Sequence, residues 1–135
     1  MFELDPALAR DTAPICALPL SRVLLMRDAR YPWLILVPAR PALVEIGDLP
    51  RDDRIRLMDE IDLAAGALAR LYSPTKLNIA AIGNMVRQLH VHIVGRTEGD
   101  PAWPGPVWGH SPALPYATEA LDRRIAEIGA ALRAG

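Results

Sequence analysis

The chain's 135 residues are close to the ~150 of an average domain, and its composition, 51% hydrophobic and 23% charged, is too apolar for intrinsic disorder. Fifteen basic residues against sixteen acidic ones give a formal net charge of −1, which excludes a broad field favouring DNA, RNA or an anionic membrane. One domain over residues 1–135 is expected, and any anion it binds must be held by a local site.

Lys76 is the only lysine among the fifteen basic residues, a bias that reads as compositional. The single cysteine, Cys16, has no partner for a disulfide or a thiolate metal site, so a reducing cytoplasm is the expected compartment. The first residues, Met1-Phe2-Glu3-Leu4-Asp5-Pro6, lack the basic and apolar pattern of an export signal, and no run approaches a membrane span.

Asp5-Pro6 followed by Ala7, Leu8 and Ala9 predicts a helix of one or two turns. Ile15 to Leu20 and Arg22 to Met26 predict an edge strand and a more interior one, and Asp28 to Pro32 reads as a turn. Trp33-Leu34-Ile35-Leu36-Val37 is unbroken and rich in strand formers, as in a strand covered on both faces. From Pro50 to Tyr72 the spacing of Leu57, Met58, Ile61, Ala64, Ala65, Leu68 and Leu71 predicts one long helix, with Asp52 and Asp53 complementing its dipole. Leu77 to Ile82 and Leu89 to Val94 predict two strands joined through Gly83-Asn84. Residues 100–115 hold five of the thirteen prolines and two of the three tryptophans, so an ordered loop is expected there. A terminal helix with Leu121, Ile125, Ile128 and Leu132 on one stripe follows a candidate cap at Thr118. Strands, a long helix, more strands and a last helix make an α+β protein with one antiparallel sheet.

The chemistry is concentrated in Gln88-Leu89-His90-Val91-His92-Ile93-Val94-Gly95-Arg96. Strand alternation sends Leu89, Val91 and Ile93 to one face and Gln88, His90 and His92 to the other, same-face neighbours lying ~7 Å apart. An imidazole with its ordinary pKa of ~6.5 is mostly neutral near pH 7 and is a competent nucleophile toward phosphorus. A second imidazole beside it can donate to a phosphoryl oxygen or protonate a leaving group. Two other readings share this spacing: half of a metal site, completed by some of Glu98, Asp100 and His110, or a pair of sheet histidines without a role. No phosphate-binding glycine loop is present, so phosphates would be held by imidazoles, amides and backbone N–H groups.

The same segment resembles the signature of the histidine triad (HIT) superfamily of nucleotide hydrolases and transferases, a strand of three alternating histidines followed by a glycine or proline and a basic residue. His90 and His92 match the last two histidines and Gln88 stands at the first. Trp33 to Arg40 is similar to the family's strand of aliphatics ending in proline and a basic residue, with Trp33 where a further histidine is frequent. Trp103-Pro104-Gly105-Pro106 is similar to the tryptophan-containing C-terminal segment of one branch.

The resemblance implies a HIT-like fold, an antiparallel sheet of about five strands with one long helix and a C-terminal helix. It implies catalytic roles for His90, as the nucleophile that becomes nucleotidylated at the α-phosphate, and for His92, contacting the phosphates and the leaving group. Asp28 corresponds to a ribose ligand and Asn78 to an α-phosphate ligand. Gln88 enters as support for the nucleophile. The expected substrate is a purine nucleotide conjugate, a phosphoramidate or dinucleoside polyphosphate, with no cofactor, no metal, no nucleic-acid polymer and no membrane. A homodimer is expected through the long helix and the Leu77 to Ile82 strand. A non-catalytic nucleotide-binding regulator, with Gln88 and Trp33 replacing two imidazoles, and a His-x-His metal domain are the alternatives. Asp28 also reads as a turn residue or an arginine partner, Asn84 as a turn residue, and Trp33 as core or pocket wall. Trp103 and Trp108 are candidates for clamping a base or sealing a dimer.

Overall fold

A computed structural model describes all 135 residues. In chain order the elements are α1 (Pro6–Asp11), β1 (Thr12–Ala17), β2 (Ser21–Met26), β3 (Trp33–Pro38), a short 3₁₀ turn (Ile46–Asp48), α2 (Arg51–Tyr72), β4 (Lys76–Ala80), β5 (Val91–Arg96) and α3 (Thr118–Ala134). The strands form one sheet in the order β1-β2-β3-β5-β4, antiparallel throughout. This is the expected α+β architecture of five strands with a long and a C-terminal helix.

The central strand β3 is buried along its whole length, as an unbroken apolar run requires. Its alternate residues feed two separate cores. Leu34 and Leu36 face α2 and α3 with Val23, Leu25, Val91 and Ile93, and Leu57, Ala64, Ala67, Leu68 and Ile128 come from the helices. Trp33, Ile35 and Val37 face the other way, with Leu24 and Val94, and are covered by Leu8, Tyr31, Ala102 and Val107. One face of the sheet is therefore packed by helices, the other by the N-terminal segment and the 97–117 loop.

Several expectations shift. β1 begins at Thr12 rather than Ile15 and ends at Ala17, because Leu18 N–H bonds the Ser21 carbonyl in a tight turn. Pro14 is tolerated in this edge strand, where the β1–β2 register slips between Pro14 and Cys16. In α2, Met58 and Leu71 lie outside the buried stripe and are exposed, whereas Glu60 is buried. The Glu60 carboxylate accepts the Leu20 and Ser21 N–H groups, both at 2.9 Å, and so fastens the helix to the β1–β2 turn. Ala117, not Thr118, precedes the first turn of α3 and no side chain caps it.

Two glycines set up the site. A Cβ on Gly95 would stand 2.9 Å from Pro32 Cγ, and Gly95 N–H bonds the Pro32 carbonyl, so only glycine lets the 28–32 turn close on β5. Gly83 has φ +69° in the segment joining β4 to β5, which is a ten-residue loop (81–90) rather than the short turn expected from Gly83-Asn84.

Candidate active site

His92 lies in β5, paired with Ile35 of β3 and Ala80 of β4, and His90 immediately precedes the strand. The two side chains share the face opposite the helices, as alternation predicts, with ring centroids 4.9 Å apart. Both are buried.

Their hydrogen bonds differ in sense. His90 Nδ1 is 2.6 Å from the Gln88 carbonyl oxygen, which can only accept, so Nδ1 carries the proton and the Nε2 lone pair is free. His92 Nδ1 is 3.0 Å from Trp33 Nε1, and an indole N–H can only donate, so Nδ1 is the acceptor and the ring proton is on Nε2. Neither Nε2 is engaged by the protein. Ser21 Oγ, Tyr31 Oη and Trp108 Nε1 are the side-chain atoms enclosed without a partner, so both histidine Nε2 atoms stay open to a ligand. One imidazole presents a lone pair and its neighbour presents an N–H.

His92 is further enclosed by Trp33 and Trp108, whose ring centroids lie 5.8 and 5.4 Å away. Burial, and secondarily the His90 imidazole, push its pKa down from 6.5 to about 4, so it is neutral near pH 7. Trp33 thus occupies the position expected of a core or pocket-wall residue and also bonds His92 of β5, a contact that no spacing in the sequence signals.

The three other candidate residues are held as follows. The amide of Gln88 donates to the Glu3 carbonyl (2.8 Å) and accepts from Asp5 N–H (2.9 Å), so its side chain fastens the N-terminal segment while its backbone carbonyl orients His90. Asn78 Oδ1 accepts from Arg96 Nη1 at 2.9 Å. Asp28 accepts from Arg30 through both oxygens and from the Leu114 N–H, the arginine pairing weighed as its alternative reading. Burial alone would raise its pKa, but the Arg30 and backbone hydrogen bonds hold it below the usual carboxylate value. No hydrogen bond joins Asp28, Asn78 or the Gln88 amide to either imidazole.

Arg96, 1% exposed, makes a bidentate pair with Asp100 at 2.8 Å and lies 5.7 Å from the Trp103 ring. This pair folds the 97–117 loop onto the sheet and brings Trp108 to His92. The residues weighed as further metal ligands are dispersed: Asp100 is committed to Arg96, His110 bonds Ser111, and no three His, Cys, Asp or Glu side chains converge anywhere. The donor set at the pair therefore does not fit a metal centre.

A cavity of about 640 Å³ opens beside His90, within the range of small-molecule sites. Its walls are the 44–47 segment and the 81–90 loop, with Glu45, Asn84 and Arg87 as polar groups. Arg87 and the 44–47 wall carry no spacing signal and went unnoticed in the sequence.

These features define a histidine-pair site on a five-stranded α+β sheet. The HIT domain model matches residues 9–99, and the chain belongs to the histidine triad family, a superfamily of nucleotide-binding hydrolases and transferases. It is similar to a histidine triad protein of Bradyrhizobium japonicum, 46% identical over 97% of this chain and 98% of that one, with a TM-score of 0.95. A histidine triad (HIT) protein of Sinorhizobium meliloti 1021 is 47% identical over 94% of each chain, with a TM-score of 0.92. One from Marinobacter aquaeolei VT8 is 42% identical over 99% of this chain and 98% of that one, with a TM-score of 0.96. No curated protein matches the sequence.

Proposed function

We propose that the protein is a nucleotide hydrolase or nucleotidyl transferase that cleaves a purine nucleotide conjugate at its α-phosphate through a nucleotidyl-His90 intermediate. The opposite proton placement on the two imidazoles supports this reading most strongly. His90 Nε2 attacks the α-phosphorus, the bond from phosphorus to the leaving group breaks and its electron pair departs with that group, while Nδ1–H keeps its bond to the Gln88 carbonyl as positive charge develops on the ring. His92 Nε2–H donates to a phosphoryl oxygen, stabilising negative charge in a site that largely excludes water. Water then attacks the phosphorus, the P–N bond breaks with its electron pair returning to Nε2, the proton water loses passes to solvent, and a nucleoside monophosphate leaves.

In this reading the phosphates enter the cavity beside His90, where Arg87 is the only fixed cation on the walls. The free amide nitrogen of Asn78 donates to a phosphate oxygen. Asp28 Oδ2, which receives only one bond from Arg30, takes a ribose hydroxyl. Gln88 acts by fixing His90 and the N-terminal segment. A homodimer completes the assembly, supported by apolar side chains exposed at and beside the open edge of β4, including Ile79, Ile82 and Met85. No helix is long and apolar enough to cross a membrane, in keeping with action on a diffusible substrate.

The test is to mix the protein with an adenylylated substrate, quench within one turnover and map the adduct by peptide mass spectrometry. An adenylyl group on His90, and a loss of turnover of about 10³-fold or more in His90→Ala, is the expected result. Turnover surviving His90→Ala overturns the mechanism. Tight monophosphate binding with no turnover of any conjugate identifies a regulatory module instead.

A further inference from the structure

The proton on His92 is fixed by a residue outside the motif. Because an indole nitrogen has no lone pair to offer, the Trp33 Nε1–H bond to His92 Nδ1 exists only while Nδ1 is unprotonated. Turning His92 into an imidazolium would place two N–H groups face to face and leave the Trp33 indole, itself 5% exposed, without an acceptor. No compensating charge is at hand. The aromatic rings packed on the His92 imidazole are Trp33, Trp108 and His90, and no carboxylate pairs with either histidine. His92 thus offers an Nε2–H as a hydrogen bond but has no second proton to give away.

The two kinds of conjugate differ in what they ask of that ring. When His90 Nε2 forms the P–N bond, the bond from phosphorus to the leaving group breaks and its electron pair goes to the leaving atom. A phosphate, pyrophosphate or sulfate oxygen carries that pair as a stable anion, and a hydrogen bond from Nε2–H is sufficient. An amine nitrogen departs only after receiving a proton, which requires a general acid, and the imidazole beside the nucleophile does not serve as one.

We propose that Trp33 is a positioning residue that restricts His92 to hydrogen-bond donation, and that this confines efficient turnover to conjugates whose leaving group departs without a proton, phosphoanhydrides and phosphosulfates rather than phosphoramidates. The inference rests on the nucleotidyl-His90 reading above and selects among its substrates.

Single-turnover rates on one nucleoside, varied only in its leaving group (sulfate, a nucleoside polyphosphate, p-nitrophenolate, an alkylamine), test it directly. The oxygen leaving groups are expected to react about 100-fold faster or more than the amine, the usual contribution of a general acid. Trp33→His, which restores an imidazole able to pass a proton, is expected to close at least tenfold of that gap, mostly by gain on the amine. Nitrogen-15 NMR of the unsubstituted protein gives a readout independent of turnover and of whether the variant folds. His92 should show an Nε2–H tautomer near pH 7 and remain unprotonated at pH 5.5. Equal rates across the series, or a His92 imidazolium at pH 5.5, overturns the inference while leaving the His90 intermediate intact. Absence of turnover and of adduct on every member overturns the His90 reading and this inference with it.

Discussion

The two faces of the sheet are packed by different means, although the same strands supply both. Toward α2 and α3 the buried cluster is Leu, Val, Ile and Ala, with Cys16, Tyr72 and Tyr116 only partly buried against it. Toward the loop it contains Tyr31 and Trp33, with Trp108 against it, and the buried Asp28, His90, His92 and Arg96 lie on or around it. Aliphatic packing needs only shape and apolar area, and two helices provide that. Enclosed imidazoles and a guanidinium need partners of defined direction, which a loop rich in prolines and tryptophans can provide because it follows no period. Each face encloses polar atoms without a partner, Ser21 Oγ on the helix side and Tyr31 Oη and Trp108 Nε1 on the loop side, each costing about 1–3 kcal/mol. One side of β5 is closed by helices, and the other carries the buried imidazoles and the paired guanidinium.

The largest effect that sharpens this contrast comes from Asp100→Ala, which leaves Arg96 buried and unpaired. A loss of about 3–5 kcal/mol is expected by urea denaturation. The 97–117 loop should also become sensitive to protease below the global transition. Leu68→Ala, on the helix face and fully buried, is expected to cost a similar or smaller amount, about 2–5 kcal/mol, without exposing the loop. If both variants lower global stability and neither opens the loop locally, the two faces are one cooperative unit and the contrast fails.

How much of this arrangement could be read from residues alone follows the same division. β3 was legible as an unbroken run of strand formers, the long helix and the face shared by His90 and His92 because they are written in periods of 3.6 and 2, and the match of Gln88 to Arg96 with a known signature identified the family. Met58 fits the same helical spacing yet is exposed, since spacing selects a stripe but not its edge. The Trp33 contact could not be read, because the β3–β5 register places Trp33 opposite Val94 and its indole reaches diagonally to His92 across 59 residues of chain. The same holds for Gln88, whose amide turns to Glu3 and Asp5 more than eighty residues away, and for Asn78, joined to Arg96 by the β4–β5 pairing. The pairing of Asp28 with an arginine was legible, the partner being only two positions along.

The next effect is one of pH. His92 has its pKa lowered from 6.5 to about 4 in the folded protein, chiefly by burial, and regains the ordinary value on unfolding. Between those values the unfolded chain binds the additional proton. The stability associated with burying a neutral His92 is therefore fully present above about pH 6.5 and is lost as pH falls toward 4, to a total of about 3 kcal/mol. Urea denaturation at pH 7.5 and 4.5 should show this loss, and His92→Gln should remove most of it. Asp28 and Asp100, both held below the usual carboxylate value, act in the same direction only at lower pH, so a variant that retains the full loss would assign the loop face's pH sensitivity to groups other than its buried imidazole.

The smallest effect on the monomer concerns a third surface, the open edge of β4. Ile79 is 48% exposed there although it pairs with the fully buried Ile93, so its side chain sits at the margin of the helix-side core without being enclosed by it. An unpaired strand edge with an exposed apolar residue is a template for a second copy. Replacing Ile79 by lysine, a common edge protector, should alter the unfolding free energy of the separated chain by no more than about 0.5 kcal/mol. It should shift the species seen by sedimentation velocity from dimer to monomer at micromolar concentration. His90 lies on the opposite face, so the extent of single-turnover adenylylation in the monomeric variant shows whether the site is complete within one chain. Adenylylation that falls with dimer content would mean that the helix face and the loop face are coupled through the partner, and the division between the two faces would then hold only within a protomer.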